Sequence, residues 1–141
     1  MNRTTLEKGL LIAGSLVIAA VFAYAGFNKI TDPSDFADNI FGFAILPPAL
    51  INLLALALPP FELGLATLLL IPYSRRIGAL AAMLLTLIFC AVLLSALLRG
   101  LTLDCGCFGV GAPSRARMWV ELGLDIVLLG SASLVYWRSL V

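Results

Sequence analysis

The sequence predicts an all-α membrane protein, a bundle of four helices that each cross the bilayer. Of its 141 residues, 62% are hydrophobic and 12% are charged, whereas soluble domains are about 45 to 50% apolar. Four segments are long and apolar enough to cross the hydrocarbon core, which takes about 20 residues of helix. Open sheet edges would leave backbone groups unpaired in lipid, so we expect the spans to be helices.

The predicted spans are residues 9–30, 49–71, 77–98 and 116–137 of a single membrane domain, 1–141. The first follows Arg3 and Lys8, as in a signal peptide, but it is longer than the apolar stretch of about 7 to 15 residues that such peptides carry. We therefore expect it to be a retained span. Its small residues suit close contact with another helix. They are Gly14, Ser15, Ala19, Ala23 and Gly26.

A short amphipathic surface helix is expected in the first loop. Asp32 can cap a helix through its side chain, and Pro33 suits the first turn. Phe36 and Ile40 recur at helical spacing and would face the membrane. Gly42 is expected to end this helix.

The charged residues exclude one class of partner and indicate an orientation. Nine Lys and Arg against eight Asp and Glu leave a net charge of +1, so no basic excess points to nucleic acid. Arg75 and Arg76 lie in the tight second turn. The loops on the opposite side of the membrane carry acidic residues that offset their Lys and Arg. We therefore expect both termini in the cytoplasm and the third loop outside the inner (plasma) membrane. Lys29 and Arg99, at span ends, are expected to extend to the membrane surface.

The reactive chemistry of the sequence lies in the third loop, where Cys105 and Cys107 flank Gly106. A disulfide needs Cα atoms about 4.4 to 6.8 Å apart, so these cysteines can pair only if the chain bends sharply, which glycine permits. So small a ring is expected to be strained and easily reduced, which favours thiol exchange over a structural bridge. The two thiols of this Cys-x-Cys motif are the candidate catalytic residues.

Two plainer interpretations of these cysteines stay open. In the first, they are small apolar residues in a glycine-rich turn. In the second, they bind zinc or cuprous ion, but two thiolates do not fill a tetrahedral site and the sequence has no histidine, so a second copy of the loop or a partner would be needed. We predict no metal site. Cys90, inside the third span, is expected to pack as a small apolar residue.

Ionisable residues inside the predicted spans are a second feature with functional potential. A polar interior pocket is expected around Glu62, because charges at such depth usually face a bundle interior or water. In the fourth span Arg117, Glu121 and Asp125 recur every four residues, so they form one polar row from the cysteine loop inward. The candidate cofactor-binding residues are Glu62, Arg99, Glu121 and Asp125. The alternative is that they only hydrogen-bond neighbouring helices and fix the packing.

Several motifs resemble a known family. They are Gly-Phe-Asn-Lys-Ile at 26–30, Leu-Pro at 46–47, Pro-Phe-Glu-Leu-Gly at 60–64, Arg-Gly at 99–100 and Asp-Cys-Gly-Cys-Phe-Gly at 104–109. Together they cover nearly the whole chain and resemble the methylamine-utilisation protein MauE family within the DoxX-like membrane proteins. The cysteine element is the specific one, and the shorter pieces are individually weak.

This resemblance implies a redox role at the membrane. The family's namesake looks to be needed for maturation of a periplasmic, disulfide-rich methylamine dehydrogenase, and relatives occur beside or fused to thioredoxin-like proteins. It implies thiol–disulfide traffic across or at the membrane. Our favoured hypothesis is that Cys105 and Cys107 cycle between dithiol and disulfide and exchange with a thioredoxin-like partner. A cation such as Arg99, Arg115 or Arg117 would lower the pKa of a thiol that it approached. Electrons would need a membrane acceptor or donor such as quinone, for which the interior beneath the loop is the expected place.

Two functions of other classes remain as alternatives. In one, the protein is a non-catalytic membrane assembly factor or anchor for a periplasmic redox partner, with the cysteines in a fixed bridge or a mixed disulfide. In the other, the polar interior transports a small solute or a metal. The redox state of the loop thiols separates the favoured function from the first alternative.

Overall fold

The computed structural model describes residues 3–104 and 112–140, and these residues form five helices without any strand. The helices are α1 (Arg3–Thr31), α2 (Pro33–Gly42), α3 (Pro48–Leu70), α4 (Arg75–Leu98) and α5 (Arg115–Arg138). All except α2 are long and apolar enough to cross a membrane. The predicted all-α membrane fold is confirmed, and each predicted span lies within one or two residues of an observed helix, apart from the start of α1.

The four long helices pack as a ring in the order α1, α3, α4, α5. The pairs α1 with α3 and α4 with α5 make the most extensive contacts, and α3 with α4 and α1 with α5 complete the ring. The connections give the bundle two distinct ends. The end that carries α2 and the segment between α4 and α5 is called the loop end here. The end that carries the start of α1, the α3–α4 turn and the end of α5 is called the terminal end.

The surface helix α2 begins and ends where the sequence predicted. Asp32 is its N-cap, and its carboxylate accepts hydrogen bonds from the Asp35 N–H at 3.1 Å and the Ser34 hydroxyl at 2.8 Å. These bonds favour the charged carboxylate, the Asp35 bond most of all, and so lower the pKa of Asp32 below its ordinary value. Phe36 is the buried residue of α2 and fixes the helix against the bundle.

Close contact between α1 and α3 depends on glycine at one position. A Cβ atom added at Gly26 would lie 3.0 Å from the Pro59 carbonyl oxygen and 3.1 Å from the Leu63 Cγ atom. Side chains larger than hydrogen would therefore push the two helices apart. Ser15, Ala19 and Gly26 are buried on this helix, which confirms for them the contact role that the sequence predicted.

The bundle contains two buried apolar clusters. The terminal cluster lies in the half of the bundle toward the terminal end, and it includes Ile18, Leu69 and Ala132. The loop cluster lies toward the other end, and its buried members are Leu93, Ala96, Leu97, Met118 and Leu122. Cys90 is partly buried and packs against the loop cluster. This contact confirms the packing role predicted for Cys90.

Candidate functional site

A buried ion pair joins α1 to α3 in the half of the bundle toward the loop end. The Lys29 ammonium nitrogen lies 3.0 Å from one carboxylate oxygen of Glu62 and 3.1 Å from the other. The two side chains are 1% and 0% exposed. The aromatic rings of Phe36 and Phe89 also face the ammonium, with centroids at 5.3 and 5.8 Å, a distance at which a cation is attracted to a ring face. Lys29 is thus enclosed by one carboxylate and two rings.

The expectation that Lys29 extends to the membrane surface is wrong. A lysine that snorkels keeps its amine in water and needs no protein partner. Here the Glu62 carboxylate on the neighbouring helix stabilises the ammonium inside the bundle. The sequence did contain a signal for this burial. Positions 15, 18, 22, 25 and 29 of α1 alternate three and four apart and all are buried, so helical periodicity assigns Lys29 to the face that packs against α3. Arg99, by contrast, is exposed.

The predicted polar row on α5 is present and extends to the residue before the cysteines. The Arg117 guanidinium lies 3.3 Å from a Glu121 carboxylate oxygen and 3.8 Å from a carboxylate oxygen of Asp104. Glu121 and Asp125 are buried, at 2% and 4% exposure. Asp125 follows Glu121 one turn further inward on the same face of α5. The row therefore runs from the start of the third loop into the buried interior of the bundle.

A cavity of about 400 Å³ lies beside these charges. Leu58 of α3 and Phe89 of α4 form its walls, and Phe36 of α2 and Phe43 close its loop end. Among the described residues that line it, Asp125 is the ionisable one. Apolar walls with one charged group are typical of sites for small amphipathic molecules.

The position of Glu62 corrects the expectation of a polar pocket around it. Glu62 faces the bundle interior, as predicted, but it is not among the lining residues of the cavity and is held by Lys29 instead. The cavity wall is apolar except at Asp125. Burial of Glu62 in an ion pair explains the difference, because Lys29 neutralises the charge that would otherwise draw water into the helix packing.

The remaining predicted site residues lie near the loop end. The Arg99 guanidinium donates a hydrogen bond to the Phe43 carbonyl oxygen, so it ties the end of α4 to a residue that lines the cavity. Cys105 and Cys107 lie outside the described residues. The last described residue before them is Asp104, whose side chain is 13% exposed.

Comparison with known sequences assigns the chain to a family. The sequence model described as Methylamine utilisation protein MauE matches residues 7–138. The MauE protein of Paracoccus denitrificans is 34% identical over 128 residues, which cover 90% of this chain and 68% of that protein. The MauE protein of Paracoccus versutus is 36% identical over 123 residues, which cover 84% and 66% of the two chains.

A third similar protein, MauE of Methylophilus methylotrophus, is 35% identical over 108 residues, which cover 76% of this chain and 57% of that protein. The alignments thus span between 57% and 68% of the length of these relatives. No solved structure matches the chain. Because the family match runs through all four long helices, the chain belongs to the MauE family.

Proposed function

We propose that this protein is a membrane thiol–disulfide redox protein. In this proposal Cys105 and Cys107 alternate between a dithiol and a disulfide and exchange with a thioredoxin-like partner. A thiolate of one protein attacks a disulfide sulfur of the other, a mixed disulfide forms, and the second thiol of the attacking pair releases it. The main support for the proposal is the polar row of α5, which contacts Asp104, the residue before Cys105, and runs into the bundle.

The first step of the argument concerns the charge next to the cysteines. Arg117 interacts with Asp104 at 3.8 Å, so a guanidinium lies close to the residue that precedes the first cysteine. A nearby cation favours a thiolate over a thiol, and the thiolate is the nucleophile in exchange. Glu121 holds the same guanidinium at 3.3 Å from the other side and so limits its movement. The Asp104 carboxylate acts in the opposite sense, so the proposal takes Arg117 as the group that stabilises the thiolate.

The second step concerns the buried charges themselves. Lys29, Glu62, Glu121 and Asp125 are all at most 4% exposed within helices that can span a membrane. Charges at that depth are costly, and apolar side chains would pack the same helices without the cost. A row of ionisable groups that ends beside a dithiol supports a role in moving the protons that thiol oxidation releases.

The orientation is also part of the proposal. Arg75 and Arg76 lie at the terminal end together with the first residues of α1, and a cytoplasmic excess of cations is the usual arrangement. The loop end would then face the outside of the plasma membrane. Disulfides persist in that compartment. The orientation is checked by the labelling of Cys105 and Cys107 in intact cells with a membrane-impermeant maleimide.

The physiological substrate proposed is a disulfide-containing protein such as methylamine dehydrogenase. The family description and the names of the similar proteins support this step. A strain of Paracoccus denitrificans that lacks its own MauE protein provides the test. We expect this chain to restore growth on methylamine, and the variant with Cys105→Ser and Cys107→Ser to fail. Equal failure of both chains would contradict the methylamine role without bearing on thiol exchange.

Thiol trapping tests the redox step directly. Membranes are quenched in acid, labelled with a mass-tagged maleimide before and after reduction, and compared between reducing and oxidising growth conditions. We expect the Cys105–Cys107 pair to shift between free and oxidised states. Cys90→Ser is the matched control, because Cys90 packs against the loop cluster and its loss should leave the shift unchanged.

The single-cysteine variants Cys105→Ser and Cys107→Ser identify the exchange partner. One of them should accumulate a mixed disulfide with a thioredoxin-like protein, which reductant releases. A pair that stays fully oxidised or fully free under all conditions, with no mixed disulfide, would overturn the redox proposal. That outcome would favour the non-catalytic anchor.

A further inference from the structure

One side of the cavity reaches the outer surface of α4. The cavity lies between α3 and α4, and α2 crosses its loop end. Ile88 of α4 lines it and is 57% exposed. In a protein that spans the bilayer, this part of α4 contacts acyl chains. A molecule that enters the cavity past Ile88 must therefore be soluble in lipid.

The lining selects among lipid-soluble molecules. Phe36, Phe43 and Phe89 supply aromatic surface, which favours a flat ring. Asp125 supplies one buried carboxyl group at the inner side of the cavity. A saturated acyl chain offers nothing for that carboxyl group to bond, whereas a ring with oxygen substituents does. The geometry thus fits a ring with a polar edge and an apolar tail.

We propose that this cavity binds a lipid-soluble quinone, with its ring against the aromatic side chains of the lining, an oxygen toward Asp125 and its tail leaving past Ile88 into the bilayer. Asp125 lies on the same face of α5 as Glu121 and Arg117, and Arg117 contacts both Glu121 and Asp104. The proposed oxygen position thus lies at the inner end of the polar row.

The reaction balances if the proposed function holds, on which this use of the cavity rests. Oxidation of the Cys105 and Cys107 thiols to one disulfide releases two electrons and two protons. A bound quinone takes up both electrons and both protons and leaves as the quinol. The opposite direction has the same balance. In either direction Asp125 is placed to exchange a proton with the ring oxygen.

Photolabelling of the full chain in lipid nanodiscs tests the binding site. The probe is a short-chain ubiquinone that carries an azide on its ring, and mass spectrometry identifies the labelled peptides. We expect label within residues 36–46 and 85–93, which supply the aromatic lining, and displacement by excess decylubiquinone. Label distributed evenly over the outer surface, or displaced equally well by a fatty acid, would overturn the proposal in favour of an ordinary lipid contact.

A matched pair of variants locates the entrance. Ile88→Trp should fill the mouth of the cavity and weaken decylubiquinone competition about tenfold, which corresponds to about 1.4 kcal/mol. Leu87→Trp adds the same ring at a neighbouring lipid-exposed position that does not line the cavity, and should have no effect. Asp125→Leu should also weaken competition about tenfold, by loss of the hydrogen bond that a protonated carboxyl group donates to the ring oxygen. Equal affinities in all of these variants would contradict the assignment.

The thiol variants distinguish this inference from the proposed function. Replacement of both Cys105 and Cys107 by serine should leave quinone labelling unchanged, because the described residues that line the cavity stay the same. Specific labelling with inert thiols would contradict the proposed function but support the cavity as a quinone site. Thiols that cycle normally in a chain without specific labelling would overturn the quinone site alone.

Discussion

The two halves of the bundle interior are built from different chemistry. The half toward the terminal end is filled by the terminal cluster, which is made of apolar side chains such as Ile18, Leu69 and Ala132. The half toward the loop end contains the smaller loop cluster. Four buried charges and a cavity lie between the two clusters, and both Leu85 of the terminal cluster and Leu93 of the loop cluster line the cavity. Both halves join the same helices in the same membrane.

The two halves differ in what their buried side chains can do. Apolar packing alone holds the terminal half together, so packing four helices does not require charges. The buried charges therefore lower stability without being needed for packing. Ionisable groups inside a membrane usually indicate a functional site. A cavity beside them lowers local packing further. The terminal cluster thus accounts for the fold, and the buried charges and the cavity are where the proposed chemistry would take place.

The largest effect is expected from the ion pair. Lys29→Met leaves the Glu62 carboxylate buried without its ammonium and should lower the free energy of unfolding by about 3 to 5 kcal/mol. The double variant with Glu62→Leu removes both charges and should regain most of that loss, since apolar replacement of a buried pair is often neutral or stabilising. Unfolding in SDS–detergent mixtures measures both.

The same double variant separates the two roles of the pair. If the pair serves the reaction, thiol cycling in the double variant should stay at least tenfold slower than in the unmodified protein despite its restored stability. Normal cycling in the stable double variant would mean that Lys29 and Glu62 only join α1 to α3. The comparison between the halves would then lose its main support.

A smaller effect on stability, with no effect on chemistry, is expected in the terminal half. Leu69 is fully buried in the terminal cluster, and Leu69→Ala should cost about 2 to 4 kcal/mol by removing packed methyl groups. Thiol cycling and quinone labelling at a temperature where the variant is folded should remain unchanged. Leu70→Ala, at a 51% exposed position next to it, is the control and should change little. Altered thiol chemistry in Leu69→Ala would contradict the division between halves.

The smallest effect concerns α2, which covers the loop end of the cavity. Its cap stabilises the charged form of Asp32, so the pKa in the folded state is below the ordinary value of 3.8. The stabilisation is therefore complete above that ordinary value and is lost as the pH falls through the lower folded value. Hydrogen exchange at the Asp35 amide, corrected for intrinsic rates, should speed up below about pH 4.

Asp32→Asn provides the control for the cap. Asparagine caps a helix about as well as aspartate but does not titrate, so exchange at the Asp35 amide should become independent of pH in this range. The same acid-induced increase in both proteins would show that another group controls the order of α2. Quinone labelling of the Asp32→Asn variant should match that of the unmodified protein, because the cap bonds do not touch the cavity lining.

Much of the fold was predictable because a membrane restricts a chain strongly. Hydrocarbon thickness fixes helix length, and unpaired backbone groups are not tolerated in lipid. Local signals were sufficient for α2 as well, since Asp32, Pro33 and Gly42 act on their own neighbours. The polar row of Arg117, Glu121 and Asp125 followed from helical spacing alone. These features depend on residues a few positions apart.

The partner of Lys29 could not be predicted in the same way. Lys29 and Glu62 are 33 residues apart in sequence, and a lysine at a span end ordinarily reaches for water. Which acid it meets depends on the helix that packs beside α1. Gly26 decides this locally, because only hydrogen fits against the Pro59 carbonyl at that contact. The sequence showed both charges but not that they form a pair.

Sequence alone determined the number of spans, their boundaries apart from the start of α1, the surface helix, the family resemblance and the face of α5 that carries charge. Each follows from periodicity, length or a local motif. Only the tertiary structure decided that Lys29 is buried against Glu62, and that the cavity lies between α3 and α4 with Asp125 as its charged lining residue. The physical reason is that ion pairing and cavities are properties of neighbouring helices. Neighbours are set by the packing of the whole bundle rather than by any one segment.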